Sequence, residues 1–355
     1  MTDSPNRTIT VRLANKTDYS AWDSFVETHP NSSPYHLSAW KSAVEEAYKH
    51  RCYYLIAETN NAIIGVLPIV HIKPPLLSGS LCSLPFCDLG GILTSNDEAI
   101  TPLIEFAQEL SGQYAAGNLH LRQSKNITNS EEPALQEGQK VRMLLALPDN
   151  ADTLLSGFKS KLRSQIKKST KNGITYSQHN DSKALDSFYS VMQSNMRMLG
   201  SPVHSKQWFA AIVNHYGEKA QIGLVSFEGK VVGAAIILMS GDTVTVPWAS
   251  TLAEYNRLSP NMGLYWGLLS YAADSKHGYF DFGRSSIGEG TFKFKKQWGA
   301  TPLPLDWKDY DANGEVVGSQ SPPNRYRDLV ATTWSRLPAF ITNILGPIFR
   351  RYISL

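Results

Sequence analysis

A lysine held beside a reacting ester or thioester can stabilise the negative charge that forms on its carbonyl oxygen. Preorganised charge of this kind commonly supplies a few kcal/mol, roughly 10²–10³ in rate. The basic, aromatic run Phe292-Lys293-Phe294-Lys295-Lys296-Gln297-Trp298 is where such a lysine could stand. Upstream, Arg284 carries a planar fork suited to a phosphate or carboxylate, and Asp281 could orient it or accept the proton of an attacking amine. A purely structural Asp281–Arg284 pair is the plain alternative, as is a solvated helix lysine at 295. Phe280-Asp281-Phe282-Gly283-Arg284-Ser285 alternates large apolar residues with polar ones and reads as a short buried strand; the glycines after it release the chain into a short basic, aromatic helix. Charge thus falls where a strand ends, the place where open α/β sheets usually bind ligands.

A second basic run, Lys159, Lys161, Arg163, Lys167, Lys168 and Lys171, contains no acid. Arg163 and Lys167 are four apart and share one helical face. They are candidates for phosphate contact, with a solvated face as the alternative. Asp88, just before Gly90-Gly91, could contact substrate. His36, His204 and His277 are isolated, and Cys52, Cys82 and Cys87 form no C-x-x-C pair, so no metal site is expected and a reduced cytosolic interior fits best.

These residues need elements to position them. At 355 residues the chain exceeds one usual core, since domains commonly hold roughly 100–200 residues, and 42% hydrophobic with 18% charged residues describes a globular protein. A net charge of +3 excludes a surface that coats nucleic acid broadly, so DNA is not an expected partner, yet it permits a local basic patch. The first eleven residues are polar and no run of 18 apolar residues occurs, so neither export nor a membrane span is expected. A strand at 9–12 and helices near 18–28 and 37–49 precede a hairpin, 53–58 and 63–70 around Thr59-Asn60-Asn61. A helix at 98–114 and strands near 118–123 and 141–147 follow. The same grammar returns: a hairpin of 222–228 and 231–238, with Val232-Gly233 matching Ile64-Gly65, then a strand at 244–249, a loop at 254–261, a helix at 262–275 and the strand at 279–283. The chain therefore reads as a duplicated α+β unit, against the alternative of two unrelated hairpins.

This order of elements resembles the core of the GNAT acyltransferase fold, in which a strand feeds a helix whose free backbone N–H groups can hold an acyl-CoA pyrophosphate. The corresponding loop here, Arg257-Leu258-Ser259-Pro260-Asn261-Met262-Gly263, has one glycine and a proline where that fold normally has a glycine-rich pattern. More narrowly, Tyr35-His36-Leu37-Ser38-Ala39-Trp40, Leu84-Pro85-Phe86-Cys87-Asp88-Leu89-Gly90-Gly91, Leu199-Gly200-Ser201-Pro202-Val203-His204, Ser259-Pro260-Asn261 and Tyr265-Trp266 resemble motifs of the FemAB/FemX-like acyltransferases. They are closest to the FemAB-related proteins associated with exosortase/PEP-CTERM systems.

The resemblance implies two tandem GNAT-like domains with a cleft between them, the first over 1–150 and the second, carrying the transfer site, over 151–318. It implies transfer of an acyl or aminoacyl group to an amine of a cell-envelope or exopolysaccharide precursor. Phe294-Lys295 matches a Phe-Lys pair that lies near the transferring carbonyl in relatives, which makes Lys295 the candidate for stabilising its charge. Trp40 matches a substrate-site tryptophan, although Val44 stands where those enzymes often carry a lysine. Trp248, Asn261 and Tyr265 flank the inferred cleft as substrate-pocket candidates, with core packing the stronger claim on Trp248. No bound cofactor is implied; the donor is aminoacyl-tRNA or acyl-CoA, which makes tRNA a candidate partner. An acetyl-CoA-dependent amino-sugar acetyltransferase and a catalytically silent scaffold of an envelope assembly system are the alternatives.

The tail, 319–355, is a different kind of sequence. Trp334, Ile344, Ile348 and Phe349 interleave with Arg336, Arg350 and Arg351, and Pro338 and Pro347 are expected to break it into short helices. An apolar face with arginines suggests lying on an anionic membrane surface, and packing across the first domain is the alternative. The expected location is cytoplasmic, peripheral on the inner face of the membrane if the tail binds it.

Overall fold

Both hairpins that the sequence repeats are present in the computed structural model, which describes residues 8–124, 135–311, 313–317 and 332–354. In Arg51–Thr59 with Ala62–Ile72, Glu58 faces Ile63 and Ala57 faces Gly65, which leaves Ile64 as the extra residue of a β-bulge. In Ala220–Phe227 with Lys230–Ser240, Ser226 faces Val231 and Val225 faces Gly233, leaving Val232 extra. The matched glycines thus follow matched bulges. A Cβ on Gly233 would lie 2.6 Å from Thr251 Cγ2, so close packing requires glycine there.

The chain divides into two units: Met1–Lys125 with Leu305–Gln320 and Tyr352–Leu355, and Asn126–Pro304 with Ser321–Arg351. This departs from the contiguous blocks 1–150 and 151–318. The strand Lys140–Ala146 belongs to the second unit because it pairs with Tyr279–Ser286, and residues 305–310 belong to the first because they pair with Leu119–Ser124. The tail is likewise no separate block, since its described residues 332–351 fall to the second unit and 352–354 to the first.

Within each unit the elements run in one order. In the first, Thr10–Leu13, helices Tyr19–Thr28 and Ser38–Tyr48, the hairpin, Ser80–Cys82, helix Ile100–Gln113 and Leu119–Ser124 succeed one another. In the second, the order is Thr175–His179, helices Ser182–Met198 and Lys206–Tyr216, the hairpin, Thr243–Thr251, helix Pro260–Asp274 and Tyr279–Ser286. Each set ends in a parallel strand pair, Leu81 facing Leu119 and Thr243 facing Tyr279, because a helix carries the chain back across the sheet. Leu55, Leu67, Ile69, Leu103 and Leu121 centre the first core; Val225, Ile237, Val244, Leu264, Leu268 and Phe280 centre the second. Helix Pro260–Asp274 lies so close to its sheet that a Cβ on Gly267 would fall 2.2 Å from the Tyr176 ring.

Candidate active site

The second unit's parallel pair is short. Its register runs only from Thr243 opposite Tyr279 to Thr245 opposite Asp281, and just beyond, each strand is bent by a bulge. Val246 and Pro247 together face Ile237, and Phe282 and Gly283 together face Met143. Residue type explains both: Pro247 has no N–H to give a ladder, and Gly283 adopts φ +72°, which a side chain would resist. Bulges recur beside active sites because they re-aim side chains. Here they bend both strands at the carboxyl end of the parallel pair.

Asp281 lies at that bend and is 1% exposed. One carboxylate oxygen accepts from Arg142 Nε at 2.8 Å and the other from the Gly283 N–H at 2.8 Å. Its ion-pair partner is therefore Arg142, not Arg284 as the sequence suggested, and the carboxylate braces the Gly283 bulge from inside. Arg284 stands opposite Arg142 in the ladder and is half-buried. Lys295, on helix Gly290–Gln297, is 8% exposed rather than solvated. Its Nζ donates to the carbonyl oxygens of Arg284 at 2.7 Å and Gly283 at 3.2 Å. An ammonium is thus fixed against the bulged end of the strand.

Two other candidates join it. Tyr265 stacks on Phe282 with ring centroids 5.6 Å apart and meets Phe294 edge-on at 5.0 Å. Burial pushes the Tyr265 phenol up to about 12, so at neutral pH it can donate a hydrogen bond but cannot act as a base. Phe294, Lys295, Asp281, Arg284 and Tyr265 therefore belong to one neighbourhood of the second unit. Arg142 was missed, although it is the single charge within the apolar stretch Val141-Arg142-Met143-Leu144-Leu145, a pattern that marks an inward-facing ion. Ser285 was also missed as a site residue; it is buried, and its hydroxyl has no hydrogen-bond partner among the described residues.

The remaining candidates lie elsewhere. Trp248 is core, packed edge-on against Phe209 at 5.1 Å and Trp208 at 6.2 Å. Trp40 belongs to the first unit and is fully buried, edge-on to Tyr35 at 4.9 Å, a packing role in place of the expected substrate contact. Asp88, also of the first unit, is half-buried, and its backbone carbonyl accepts from Trp307 Nε1 at 3.2 Å. Asn261 is exposed in the first turn of helix Pro260–Asp274, where its Oδ1 accepts from Thr251 Oγ1 at 3.3 Å. Gly263 serves packing, since a Cβ there would come within 2.9 Å of Ile174 Cγ2 and Ser169 Oγ. Arg163 and Lys167 are exposed on helix Ser160–Lys171, and Arg163 Nη1 donates to Ser156 O at 3.2 Å. Among the described residues no group of three or more His, Cys, Asp or Glu is placed to hold a metal.

The tail also departs from expectation. Pro347 does not break the helix Ala339–Arg350, which runs through it. That helix packs within the second unit, where Thr342 is buried and a Cβ on Gly346 would lie 3.3 Å from the Val203 backbone nitrogen, while the residues after it pack in the first unit, where Ser354 O accepts from the Phe86 N–H at 2.7 Å and from Arg122 Nη1 at 3.0 Å. Among the described residues no helix is long and apolar enough to cross a membrane.

Comparison with known proteins fits this geometry. Residues 156–296, which contain both bulges and Lys295, match the acetyltransferase (GNAT) domain family. A lipid II:glycine glycyltransferase of Staphylococcus aureus is 23% identical over 233 residues, 59% of this chain and 53% of that protein, so the chain spans about half the length of the curated relatives it matches. The crystal structure of FemX superposes with a TM-score of 0.68 at 16% identity, over 85% of this chain and 97% of that chain. A tandem GNAT protein from the clavulanic acid biosynthesis pathway superposes with a TM-score of 0.53 at 10% identity, over 86% and 98%. The chain therefore has the tandem GNAT-type acyltransferase fold, its second unit carries the GNAT domain match, and it is similar to FemX and to a Fem-type glycyltransferase.

Proposed function

We propose that the protein is an N-acyltransferase that moves an acyl or aminoacyl group from its carrier to an amine of a cell-envelope precursor. The observation that carries this reading is the Lys295 ammonium, buried and held by two backbone carbonyls at the bulged strand end beside Phe294. The amine lone pair attacks the donor carbonyl, and the oxygen that takes up the charge is met by Lys295. The carbon–oxygen or carbon–sulfur bond to the carrier then breaks, and the amine proton leaves to the departing carrier or to water. Asp281 is a positioning residue in this scheme, because Arg142 and the Gly283 N–H occupy its two oxygens. Burial pushes the Cys82 and Cys87 thiols up, so neither offers a thiolate and the amine attacks directly.

The carrier we favour is aminoacyl-tRNA. Gly263 abuts Ile174 and Ser169, and Ser259 O already accepts from Ser169 Oγ at 2.9 Å, so the loop at 257–263 lacks the open glycine approach that suits a coenzyme A pyrophosphate. Similarity to a lipid II:glycine glycyltransferase supports a lipid-linked cell-wall precursor as acceptor. The narrower acceptor, an exopolysaccharide precursor of a PEP-CTERM system, is supported by the motifs at 84–91 and 199–204. We place the enzyme at the inner face of the membrane through the tail helix: with Thr342 and Gly346 docked, Ile344, Ile348 and Phe349 remain 63%, 51% and 51% exposed, and Arg336 is exposed nearby in sequence.

The test is to incubate the full chain with pooled aminoacyl-tRNAs or with acetyl-CoA and an amine-bearing lipid-linked or nucleotide-linked precursor, and to read the mass added to the acceptor. Transfer that falls about 10²-fold in Lys295→Met supports the reading. Lack of transfer from either donor to any envelope amine would leave the scaffold alternative in its place.

A further inference from the structure

The basic run separates into faces on the folded helix, and only part of it borders a cavity. A concavity of about 380 Å³ in the second unit is lined by Phe158, Lys159, Lys161, Gln165, Lys296 and Trp298, among others. Arg163 and Lys167, the pair singled out by spacing, are not among its lining residues. Among the described residues three lysines border this space and no carboxylate does. Two of them come from the start of helix Ser160–Lys171, whose Lys159 N-cap makes no side-chain capping bond, and the third comes from helix Gly290–Gln297, where Lys296 also lies over the Phe292 ring at 5.7 Å.

The wall opposite in character is aromatic: Phe158 and Trp298 meet edge-on with centroids 5.6 Å apart. Trp298 is 1% exposed, and its indole N–H has no hydrogen-bond partner among the described residues, a buried donor in the wall of the cavity. Gln165 and Gln297 add amides that can read polar edges. The volume lies within the roughly 300–1,000 Å³ usual for small-molecule sites. An anion alone would use the lysines and leave the aromatic wall idle; an apolar ligand would do the reverse.

We infer that this cavity seats a nucleoside phosphate, with the base against Phe158 and the phosphate among Lys159, Lys161 and Lys296. Lysines serve as point charges for phosphate, and aromatic rings accept any base by stacking. Two sources share this chemistry, the phosphoadenosine end of coenzyme A and the end of an RNA strand. The assignment stands apart from acyl transfer by Lys295, because its readout is binding.

Isothermal titration of the full chain with AMP, adenosine and inorganic phosphate tests it. AMP should bind at least about tenfold more tightly than adenosine, with an affinity that falls as salt rises. Lys161→Gln with Lys296→Gln, both at exposed positions, should weaken AMP about tenfold or more and flatten the salt dependence. Phe158→Leu should weaken AMP and adenosine but leave inorganic phosphate unchanged. Titration with coenzyme A and with a short single-stranded RNA then identifies the source by which of them exceeds AMP. Equal affinity for AMP and adenosine, or a double-glutamine variant that binds AMP as the parent does, would overturn the assignment while leaving the transfer assay unaffected.

Discussion

Replacing Lys295 with methionine should do two separable things. Methionine keeps most of the stem's packing but removes the donor from the Gly283 and Arg284 carbonyls. Leaving a buried acceptor unmet costs about 1–3 kcal/mol. One of the two bonds is 3.2 Å long and both residues are half-buried, so the combined loss should lie near about 2–3 kcal/mol. For a unit of this size that is a fall in Tm of roughly 5–10 °C. Turnover measured well below that Tm should fall further, by about 10²-fold, because the charge on the tetrahedral intermediate loses its partner. Differential scanning calorimetry and the transfer assay, run on one preparation, read the two losses independently. A lowered Tm with parent-like turnover would make Lys295 a strut of the bulge and refute its catalytic role. An unchanged Tm would refute the geometry itself, since the two carbonyls would not then depend on the ammonium.

Asp281→Asn should cost about 3 kcal/mol or more in urea unfolding, because it strands the buried Arg142 guanidinium without its anion; a change below about 0.5 kcal/mol would show that the pair does not brace the bulge. Burial lowers the proton affinity of His204, His71 and His277 below the ordinary 6.5, helped at His204 by Arg350 and at His71 by Lys73 and Arg51. Above 6.5 these groups are neutral in both states and contribute nothing; below it the unfolded chain takes up protons that the folded chain refuses, so stability should fall from pH 6.5 downward. His204→Gln should reduce that slope in urea titrations at pH 7, 6 and 5, and an unaltered slope would remove His204 from the account. For the tail, Ile344→Ser with Ile348→Ser and Phe349→Ser should abolish sedimentation with anionic liposomes at low salt without lowering Tm, since all three side chains are exposed. Point changes are the right test because removing a helix that packs on the second unit would uncover the surface around Val203; equal sedimentation of parent and variant would refute membrane docking.

The repeat was legible because it is written in local chemistry. A turn with a glycine a few residues after it recurs at Ile64-Gly65 and at Val232-Gly233, and in the structure each of these glycines follows a bulge of its hairpin. From each hairpin onward much of the order was likewise carried by periodicity within single segments, whereas Ser80–Cys82, Thr175–His179 and the helices Ser182–Met198 and Lys206–Tyr216 were not read from it. What also failed was pairing between distant segments. Nothing in Lys140–Ala146 says that it will lie beside Tyr279–Ser286, so the boundary drawn at 150 fell on the wrong side of that strand. The strand Thr301–Tyr310 was hidden by Pro302 and Pro304, which argue against an interior strand.

The site divides along the same line. Phe294, Lys295 and the strand before them are neighbours in sequence, and the fold keeps them together. Asp281 was matched to the nearest cation along the chain, Arg284, whereas the strand pairing delivers Arg142 from 139 residues away. Burial decided the tryptophans in the same way: Trp40 and Trp248 sit in motifs, but a motif does not reveal which side of a sheet or helix it faces, and both face a core. The basic run shows the rule from the other side. Helical spacing correctly grouped Arg163 with Lys167 on one face. It could not show that Lys159 and Lys161 meet Lys296 around a cavity, because that third lysine arrives through the fold alone.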